Sequence, residues 1–340
     1  MSYHPLRVAR IIQETPDARS FVLAVSPDLA ERFKYRPGQF LTFKVPHPDG
    51  AFTRCYSLSS APETDFEAKV TVKRVDGGKG SNWFHDSLKE GATLDVMTPA
   101  GRFVLHDSQA PLLMFAGGSG ITPMMSLIKS ALKTTSRRIR LFYANRDQAS
   151  VIFRAEFDQL LLADPYRLSV IHHLDDRQGL TTADEIKRAL VGFEAAEAYI
   201  CGPNPFMVLV EDTLLKAGVP RGRVLIEHFE ASGNPSVPMA PIEGAEVIPA
   251  FITIHFEGKA HKVPYSKGLS ILNAARAAGL SPNSACEEGF CASCAAKKIK
   301  GKIVLANNDI YTEEDLASGW ILTCPGHAFG EEVEITYDVM

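Results

Sequence analysis

Four of the six cysteines in this 340-residue chain lie near its C-terminal end with the spacing C-x4-C-x2-C-x29-C. They are Cys286, Cys291, Cys294 and Cys324. Three thiolates in one short loop and a fourth at a distance match a known [2Fe-2S] spacing. A structural zinc site more usually has two C-x2-C pairs, and only one is present here. The spacing therefore predicts that the four sulfurs bind the iron of a [2Fe-2S] cluster.

Small and acidic residues separate these cysteines. Gly289, Ala292 and Ser293 let backbone amides approach sulfur, and hydrogen bonds of that kind stabilise negative charge and tune a cluster's potential. Glu287 and Glu288 follow the first cysteine. Close to a cluster their carboxylates would oppose its reduction, whereas as solvated loop residues they would have little effect. The sequence leaves these two alternatives open.

A glycine-rich loop, AGGSGITPMM at residues 116–125, joins a strand-like run to a helical pattern. Glycine admits an anion close to the backbone, Thr122 suits a helix cap, and Pro123 suits a first helical turn. Helix N-terminal amides then favour a pyrophosphate. Because Pro123 replaces the third glycine of G-x-G-x-x-G, a plain strand-to-helix turn remains the alternative. The candidate nucleotide-binding residues here are Gly117, Gly118, Gly120, Thr122 and Pro123.

Two further strand ends in the same region carry polar or polarizable groups. At YANRD, where a nucleotide ribose is expected, Arg146 suits a 2′-phosphate and Asp147 suits a 2′-hydroxyl, so the two residues favour different cofactors. At CGPNPF, Cys201 and Gly202 lie at the carboxyl edge of the predicted sheet, where ligands bind in open α/β folds. A lone buried cysteine is more often simply packed in a core.

The segment RCYSLSS, residues 54–60, offers a cation, an aromatic ring and hydroxyl groups on one predicted strand. Arg54 and Tyr56 are two residues apart and share a face, while Ser57 points across or turns at the strand end. Such a set can bind a phosphate, cover a planar ring and hydrogen-bond to its edge. A half-exposed strand without a binding role explains the pattern equally well.

The elements that would position these residues change in type along the chain. Residues 1–106 hold one helical stretch, SNWFHDSLK, and five short β-type runs: RSFVLAV, GQFLTFKV, RCYSLSS, AKVTVKRV and TLDVMTPAGRFVL, the last at residues 93–105. These runs predict a small antiparallel barrel or sandwich. Residues 107–230 alternate strand and helix patterns, which predicts a parallel sheet. Residues 231–250 are proline-rich and aperiodic, as in an interdomain linker. Residues 251–340 predict a hairpin turning near Glu257-Gly258, an amphipathic helix, the cysteine loop and further strands.

The bulk composition restricts the partners. With 45% hydrophobic and 22% charged residues, a net charge of −4 and a pI near 6.2, the chain has the composition of a globular protein and no basic patch for nucleic acid. It has no apolar run long enough to span a bilayer, and its first twenty residues lack the apolar stretch of a secretion signal. We therefore expect a cytoplasmic protein without a membrane partner.

The motif R-x-Y-S-x-x-S, followed by GGSGITP, CGP and the cysteine module, resembles the ferredoxin-NADP reductase superfamily. Within it the chain is similar to the reductase components of multicomponent oxygenases, in particular those of steroid hydroxylases and phenylacetyl-CoA epoxygenases. The resemblance covers almost the whole chain. It implies a multidomain fold with an antiparallel β-barrel flavin domain, an α/β parallel-sheet NAD(P) domain and an α+β (β-grasp) ferredoxin domain.

The resemblance also implies roles for the candidate residues. Arg54 would contact the flavin phosphates, Tyr56 would stack on the isoalloxazine ring, and Ser57 would hydrogen-bond near flavin N5. A second flavin phosphate segment, at the start of the SNWFHDSLK helix, would comprise Gly80, Ser81 and Asn82. The family's use of FAD favours FAD over FMN.

The nucleotide side is assigned in the same way. The glycine loop would bind the nicotinamide dinucleotide, with Cys201 and Gly202 beside the nicotinamide. Phe229 matches an aromatic residue that often lies near the flavin in this family, although an ordinary core role explains it as well. Asp147 and the similarity to these relatives favour NADH over NADPH, whereas Arg146 favours NADPH.

These parts predict an electron-transfer enzyme. NADH would deliver a hydride to FAD, which would pass electrons singly to the [2Fe-2S] cluster and on to a terminal oxygenase, of the Rieske type and with a steroid substrate by similarity. The alternatives are the reductase of a di-iron epoxygenase or of a hybrid-cluster protein, and a flavin and iron-sulfur redox sensor in which turnover is incidental.

Overall fold

A computed structural model describes residues 3–47, 51–229, 247–284, 289, 292–308 and 311–338. These residues fall into two compact units, one up to Phe229 and the other from residue 247 onward. Of the predicted linker 231–250, only residues 247–250 belong to the described part. None of the helices in the described ranges combines the length and the apolar character that crossing a membrane requires.

The N-terminal part of the larger unit is an antiparallel β-barrel. Its elements are β1 (His4–Thr15), β2 (Ala18–Ala24), β3 (Phe40–Val45), β4 (Phe52–Ser57), β5 (Ala68–Lys73), α1 (Lys79–Asp86) and β6 (Thr93–Val96). The strand order is β4-β3-β6-β1-β2-β5, and a bridge between Leu58 and Val70 joins the end of β4 to β5 and closes the sheet. The predicted antiparallel β domain is confirmed.

The side chain of Phe84 holds α1 against the barrel. Its ring is fully buried and makes edge contacts with Phe21, Phe43 and Tyr56 at centroid distances of 5.2, 5.3 and 4.9 Å. Edge-to-face aromatic pairs of this kind add to the stabilisation from burial. Since Tyr56 lies on β4, the packing keeps α1 close to that strand.

Two strands of the barrel differ from the sequence prediction. β1 is absent from the predicted runs, because register shifts between Val8 and Arg10 and between Gln13 and Thr15 interrupt the in-out alternation that marks a strand. The run predicted as one strand over residues 93–105 is regular only as far as Val96.

The C-terminal part of the larger unit alternates strands and helices. Its elements are β7 (Leu112–Gly117), α2 (Ile121–Thr134), β8 (Ile139–Asn145), α3 (Arg154–Ala163), β9 (Leu168–Leu174), α4 (Asp175–Gln178), α5 (Ala183–Leu190), β10 (Glu197–Cys201), α6 (Asn204–Lys216) and β11 (Val224–Glu227). The strand order is β11-β10-β7-β8-β9, and all pairs are parallel. Because β7 and β10 are neighbours, the glycine loop and the CGP segment lie at the same carboxyl edge of the sheet.

The smaller unit is an α+β domain. Its elements are β12 (Phe251–Phe256), β13 (Lys259–Pro264), α7 (Ile271–Ala277), β14 (Ala295–Leu305), α8 (Glu313–Ala317), β15 (Trp320–Leu322) and β16 (Gly326–Thr336). The strand order is β13-β12-β16-β14-β15, and only the pairing of β12 with β16 is parallel among the described strands. Glu257 and Gly258 form the hairpin turn with φ angles of 53° and 73°.

Candidate cofactor-binding sites

Arg54 and Tyr56 of β4 lie beside the first turn of α1. A Cβ atom on Gly80 would lie 2.7 Å from Cγ of Arg54 and 3.2 Å from the Tyr56 hydroxyl, so a side chain at this position would force the helix away from the strand. The Arg54 guanidinium donates to the carbonyl of Thr53 (2.7 Å) and lies over the ring of Phe52. The structure therefore brings a cation, a phenol and a bare backbone together.

Ser57 completes this group at the end of β4. Its side chain is buried, and its Oγ has no hydrogen-bond partner in the part of the chain that the structure describes. A buried polar atom left unpaired costs on the order of 1–3 kcal/mol, so its persistence points to a ligand that supplies the partner. Burial raises the pKa of the adjacent Tyr56, whose phenol is therefore protonated and able to donate.

The predicted second phosphate segment lies in the first turn of α1. Gly80 and Ser81 precede the first helical hydrogen bond, so their N–H groups have no acceptor within the helix. That first bond is made by Asn82, whose N–H donates to the carbonyl of Gly78 (3.0 Å), and its amide is therefore not bare. The Ser81 hydroxyl accepts from the N–H of Val75 (3.0 Å), so it holds the preceding loop.

The glycine loop of the α/β domain leads directly into α2. A short 3-10 helix covers Gly118–Gly120, and α2 begins at Ile121 with Gly120 in the cap position. The prediction that Thr122 caps this helix is wrong, because Thr122 lies inside the first turn and its hydroxyl donates to the carbonyl of Ser119 (3.0 Å). Pro123 occupies the first turn, where its missing N–H has no cost.

Glycines allow the two loops at this edge to touch. A Cβ atom on Gly120 would lie 2.1 Å from the carbonyl oxygen of Cys201, and one on Gly202 would lie 2.9 Å from the amide nitrogen of Gly117. A Cβ atom on Gly117 would lie 2.7 Å from Cδ of Pro203. The structure thus brings Gly117, Gly120, Cys201 and Gly202 together, and any side chain at these glycines would separate the loops.

Cys201 ends β10 with its side chain fully buried in the core beneath α2. Burial raises the pKa of its thiol well above the ordinary value, and the carboxylate of Glu227 on the neighbouring strand adds to the effect. The sulfur is consequently a neutral thiol at physiological pH and not a nucleophilic thiolate.

Arg146 and Asp147 follow β8 at the same edge of the sheet. The Asp147 carboxylate caps a short 3-10 helix, Gln148–Ser150, by accepting from the N–H of Ser150 (2.9 Å). Nε of Arg146 donates to the other Asp147 oxygen (3.2 Å), and this contact is the main cause that lowers the pKa of Asp147. The Arg146 side chain is 70% exposed.

Phe229 lies two residues beyond β11 and is 42% exposed. No aromatic contact joins it to Tyr56 within the described ranges. Its predicted position near the flavin stays a prediction.

Two of the four cluster cysteines, Cys294 and Cys324, belong to the described residues, whereas Cys286, Cys291, Glu287 and Glu288 lie outside them. Both described thiols are buried, and the backbone N–H of Cys324 donates to Sγ of Cys294 (3.4 Å). The Thr323 hydroxyl donates to the carbonyl of Cys294 (2.9 Å) and accepts from the Tyr337 hydroxyl (2.8 Å). These bonds join the backbones of the two cysteines, and an N–H that donates to sulfur stabilises the negative charge of a thiolate ligand.

Three protein-family models match the chain in the order of its domains. They are the Oxidoreductase FAD-binding domain over residues 5–105, the Oxidoreductase NAD-binding domain over 114–212 and the 2Fe-2S iron-sulfur cluster binding domain over 254–326. A ferredoxin reductase component of 3-ketosteroid-9-alpha-monooxygenase from Rhodococcus rhodochrous is 40% identical, with 98% of this chain and 96% of the relative covered.

Two further relatives extend over nearly the full length. A component of the 1,2-phenylacetyl-CoA epoxidase from Escherichia coli is 30% identical, with 99% of this chain and 98% of the relative covered. The solved structure of phthalate dioxygenase reductase is 26% identical, with a TM-score of 0.61 and 98% of each chain covered. The chain belongs to the reductase components of multicomponent oxygenases.

This oxygenase reductase is an NAD(P)H-dependent oxidoreductase that binds FAD, NAD and a [2Fe-2S] cluster. The residues fit these groups. The Ser57 hydroxyl, which has no partner among the described residues, and the cleft at Gly80 suit a polar planar ligand with phosphates. The touching glycine loops suit a dinucleotide, and the buried sulfurs of Cys294 and Cys324 suit iron.

The structure of the reductase also adds residues that sequence reasoning missed. Nζ of Lys73, at the end of β5 in the barrel, lies 3.7 Å from the position of a Cβ atom on Gly118. Asp17, in the turn between β1 and β2, lies 3.7 Å from both Lys73 Nζ and Arg146 Nη2. No local motif marks these residues, because the fold brings them to the loop from distant parts of the chain.

Proposed function

We propose that this reductase transfers electrons from NADH through FAD and the [2Fe-2S] cluster to the Rieske-type terminal oxygenase of a steroid-oxidising system. The observation that carries the proposal is the similarity, over nearly the whole length, to a component of a 3-ketosteroid monooxygenase. In this division of labour residues 1–106 bind FAD, 107–230 bind the nicotinamide dinucleotide, 231–250 link the domains and 251–340 hold the cluster. The reductase functions in the cytoplasm, where NADH is supplied.

The chain's own residues bind and orient the reacting groups. When bound, FAD accepts a hydride from the nicotinamide and releases electrons singly, which the cluster can carry one at a time. Tyr56 offers a ring and a protonated phenol to the flavin, Ser57 a buried hydroxyl, and Arg54 a cation beside the N–H groups of Gly80 and Ser81.

The nucleotide loop aligns the hydride donor. Gly117, Gly120 and Gly202 keep the backbone free of side chains where the two loops touch, and helix α2 points its N-terminal amides toward this edge. The thiol of Cys201 packs in the core beneath the nucleotide loop and stays protonated, because burial raises its pKa. This part of the protein contributes by positioning the hydride donor.

A reconstitution experiment tests the proposal. The purified reductase, loaded with FAD and cluster, is mixed with NADH and either a Rieske 3-ketosteroid oxygenase or the di-iron oxygenase of a phenylacetyl-CoA epoxidase system, and the oxygenated product is measured. We expect product only with the Rieske enzyme. Product only with the di-iron enzyme would support the alternative that the chain is an epoxidase reductase. That alternative is supported by the 30% identity to the epoxidase component. Negligible NADH-dependent reduction of cytochrome c would contradict any reductase function and support a sensor.

A further inference from the structure

Four charged side chains meet where the barrel touches the nucleotide domain: Asp17, Lys73, Arg146 and Asp147. Oδ2 of Asp17 lies 3.7 Å from Nζ of Lys73 and 3.7 Å from Nη2 of Arg146. Nε of Arg146 lies 3.2 Å from Oδ2 of Asp147. The two carboxylates thus balance the two cations, and the group as a whole carries no net charge.

Asp17 is held firmly in this position. The Thr15 hydroxyl donates to its Oδ1 (2.7 Å), and the Asp17 backbone carbonyl accepts from the N–H of Arg74 (2.6 Å). One carboxylate oxygen is therefore engaged by its own turn, and the other faces the two cations. About a quarter of the Asp17 side chain is exposed, whereas Arg146 is 70% exposed, so solvent screens the attraction between these two charges in part.

The Asp17 carboxylate lies where it can affect which cofactor binds. Lys73 lies beside Gly118 in the phosphate loop, and Arg146 is the first residue after β8, where the adenosine ribose lies in folds of this type. A 2′-phosphate bound there would need the positive charge of Arg146. In this structure the carboxylates of Asp17 and Asp147 already neutralise the charge of Arg146. A 2′-hydroxyl, by contrast, needs only a hydrogen-bond acceptor.

We propose that Asp17, a residue of the flavin domain, makes the reductase select NADH by neutralising Arg146, the cation that the 2′-phosphate of NADPH would need. The inference rests on the proposed function and adds the residue that sets its nucleotide preference. Asp17 acts on the cofactor from another domain, so nucleotide preference depends on the contact between the two domains as well as on the residues after β8.

Substitution of Asp17 tests the proposal. In Asp17→Asn protein we expect kcat/KM with NADPH to rise roughly three- to fivefold relative to that with NADH, the size expected of one partly exposed charge. Binding of 2′,5′-ADP, measured by calorimetry, should tighten by a similar factor while binding of 5′-ADP changes little. Asp184→Asn removes the same charge from an exposed pair with Lys187 on α5 and should change neither ratio.

A second variant checks that Asp17 acts through Arg146. In an Arg146→Ala background, Asp17→Asn should no longer tighten the binding of 2′,5′-ADP. Equal effects of Asp17→Asn in both backgrounds, or weaker binding of both nucleotides in the single variant, would overturn the proposal and leave Asp17 a merely structural residue. Wild-type protein that oxidises neither NADH nor NADPH would instead contradict the proposed function.

Discussion

The hydroxyls of Ser57 and Ser59 are both buried, but among the described residues only that of Ser59 has a hydrogen-bond partner. Ser59 Oγ donates to the carbonyl of Lys69 (3.2 Å) and lies 2.8 Å from the Thr71 hydroxyl, whereas Ser57 Oγ has no partner within the described ranges. Burial of the Ser57 hydroxyl therefore carries a desolvation cost. At Ser59 the hydrogen bonds to Lys69 and Thr71 offset that cost. This contrast supports the prediction that a bound ligand supplies the partner of Ser57.

The two serines give a matched pair of variants. Ser57→Ala should slow the bleaching of the flavin by NADH about tenfold through one lost hydrogen bond to the ligand. It should leave stability nearly unchanged, because Ser57 Oγ makes no hydrogen bond within the described part of the chain. Ser59→Ala should lower the free energy of unfolding by about 1–2 kcal/mol and leave the bleaching rate intact. Stopped-flow absorbance and urea unfolding measure the two effects. The opposite pattern would mean that Ser57 has a structural role only.

At the scale of elements, helix α2 joins the barrel to the sheet through Lys129. Its ammonium, in a side chain that is only 8% exposed, contacts Asp65 of the flavin domain (2.7 Å) and Glu156 of α3 (2.6 Å). Burial alone would lower the pKa of Lys129, but the carboxylates of Glu156 and Asp65 outweigh it and raise the pKa. Lys69 of β5 reaches the same glutamate (3.3 Å).

This contact predicts a stability effect with a defined pH range. Lys129→Met leaves two carboxylates facing an apolar side chain and should cost about 2–3 kcal/mol, less than a fully buried pair would because both acids are about one-quarter exposed. Since the folded-state pKa is raised, the contribution is complete below the ordinary lysine value of about 10.4 and is lost as pH rises through the folded value.

The loss in Lys129→Met should therefore be the same at about pH 7 and pH 9 and shrink only at higher pH. Urea unfolding followed by flavin fluorescence measures it. Lys187→Met removes an exposed lysine, 59% accessible, from its pair with Asp184 and should cost less than about 0.5 kcal/mol. Equal losses in the two variants would argue against a special role of α2 in joining the domains.

The sequence predicted those elements whose signal is local. Strand and helix periodicity identified β7 to β11 and helices α2, α3, α5 and α6, but not the short helix α4, and glycines identified the loop before α2. It failed at β1, where bulges interrupt the alternation, and at the cap of α2, which depends on the residue at which helical dihedral angles begin. Asp17 and Lys73 escaped because their approach to Gly118 is a property of the assembled barrel and sheet, and no spacing along the chain encodes it.

At the scale of the whole molecule, the flavin and nucleotide residues belong to one compact unit and the described cluster cysteines to the other. Hydride transfer needs only groups held by the larger unit, whereas the release of single electrons to a protein needs the smaller unit as well. The two half reactions should consequently be separable by mutation, and the six cysteines supply both the variant and its control.

Cys324→Ala should abolish NADH-dependent reduction of cytochrome c, because it removes one predicted iron ligand, and should leave the bleaching of the flavin by NADH at the wild-type rate. Cys55→Ala removes the same atom from the barrel, where the sulfur lies 3.3 Å from the Thr42 hydroxyl, and should keep both activities. Visible absorbance reports the cluster, and anaerobic stopped flow reports the flavin. Cytochrome c reduction that persists at the wild-type rate in Cys324→Ala protein without cluster absorbance would mean that electrons leave directly from the flavin. Loss of flavin bleaching in the same variant would mean that the two units depend on each other for folding.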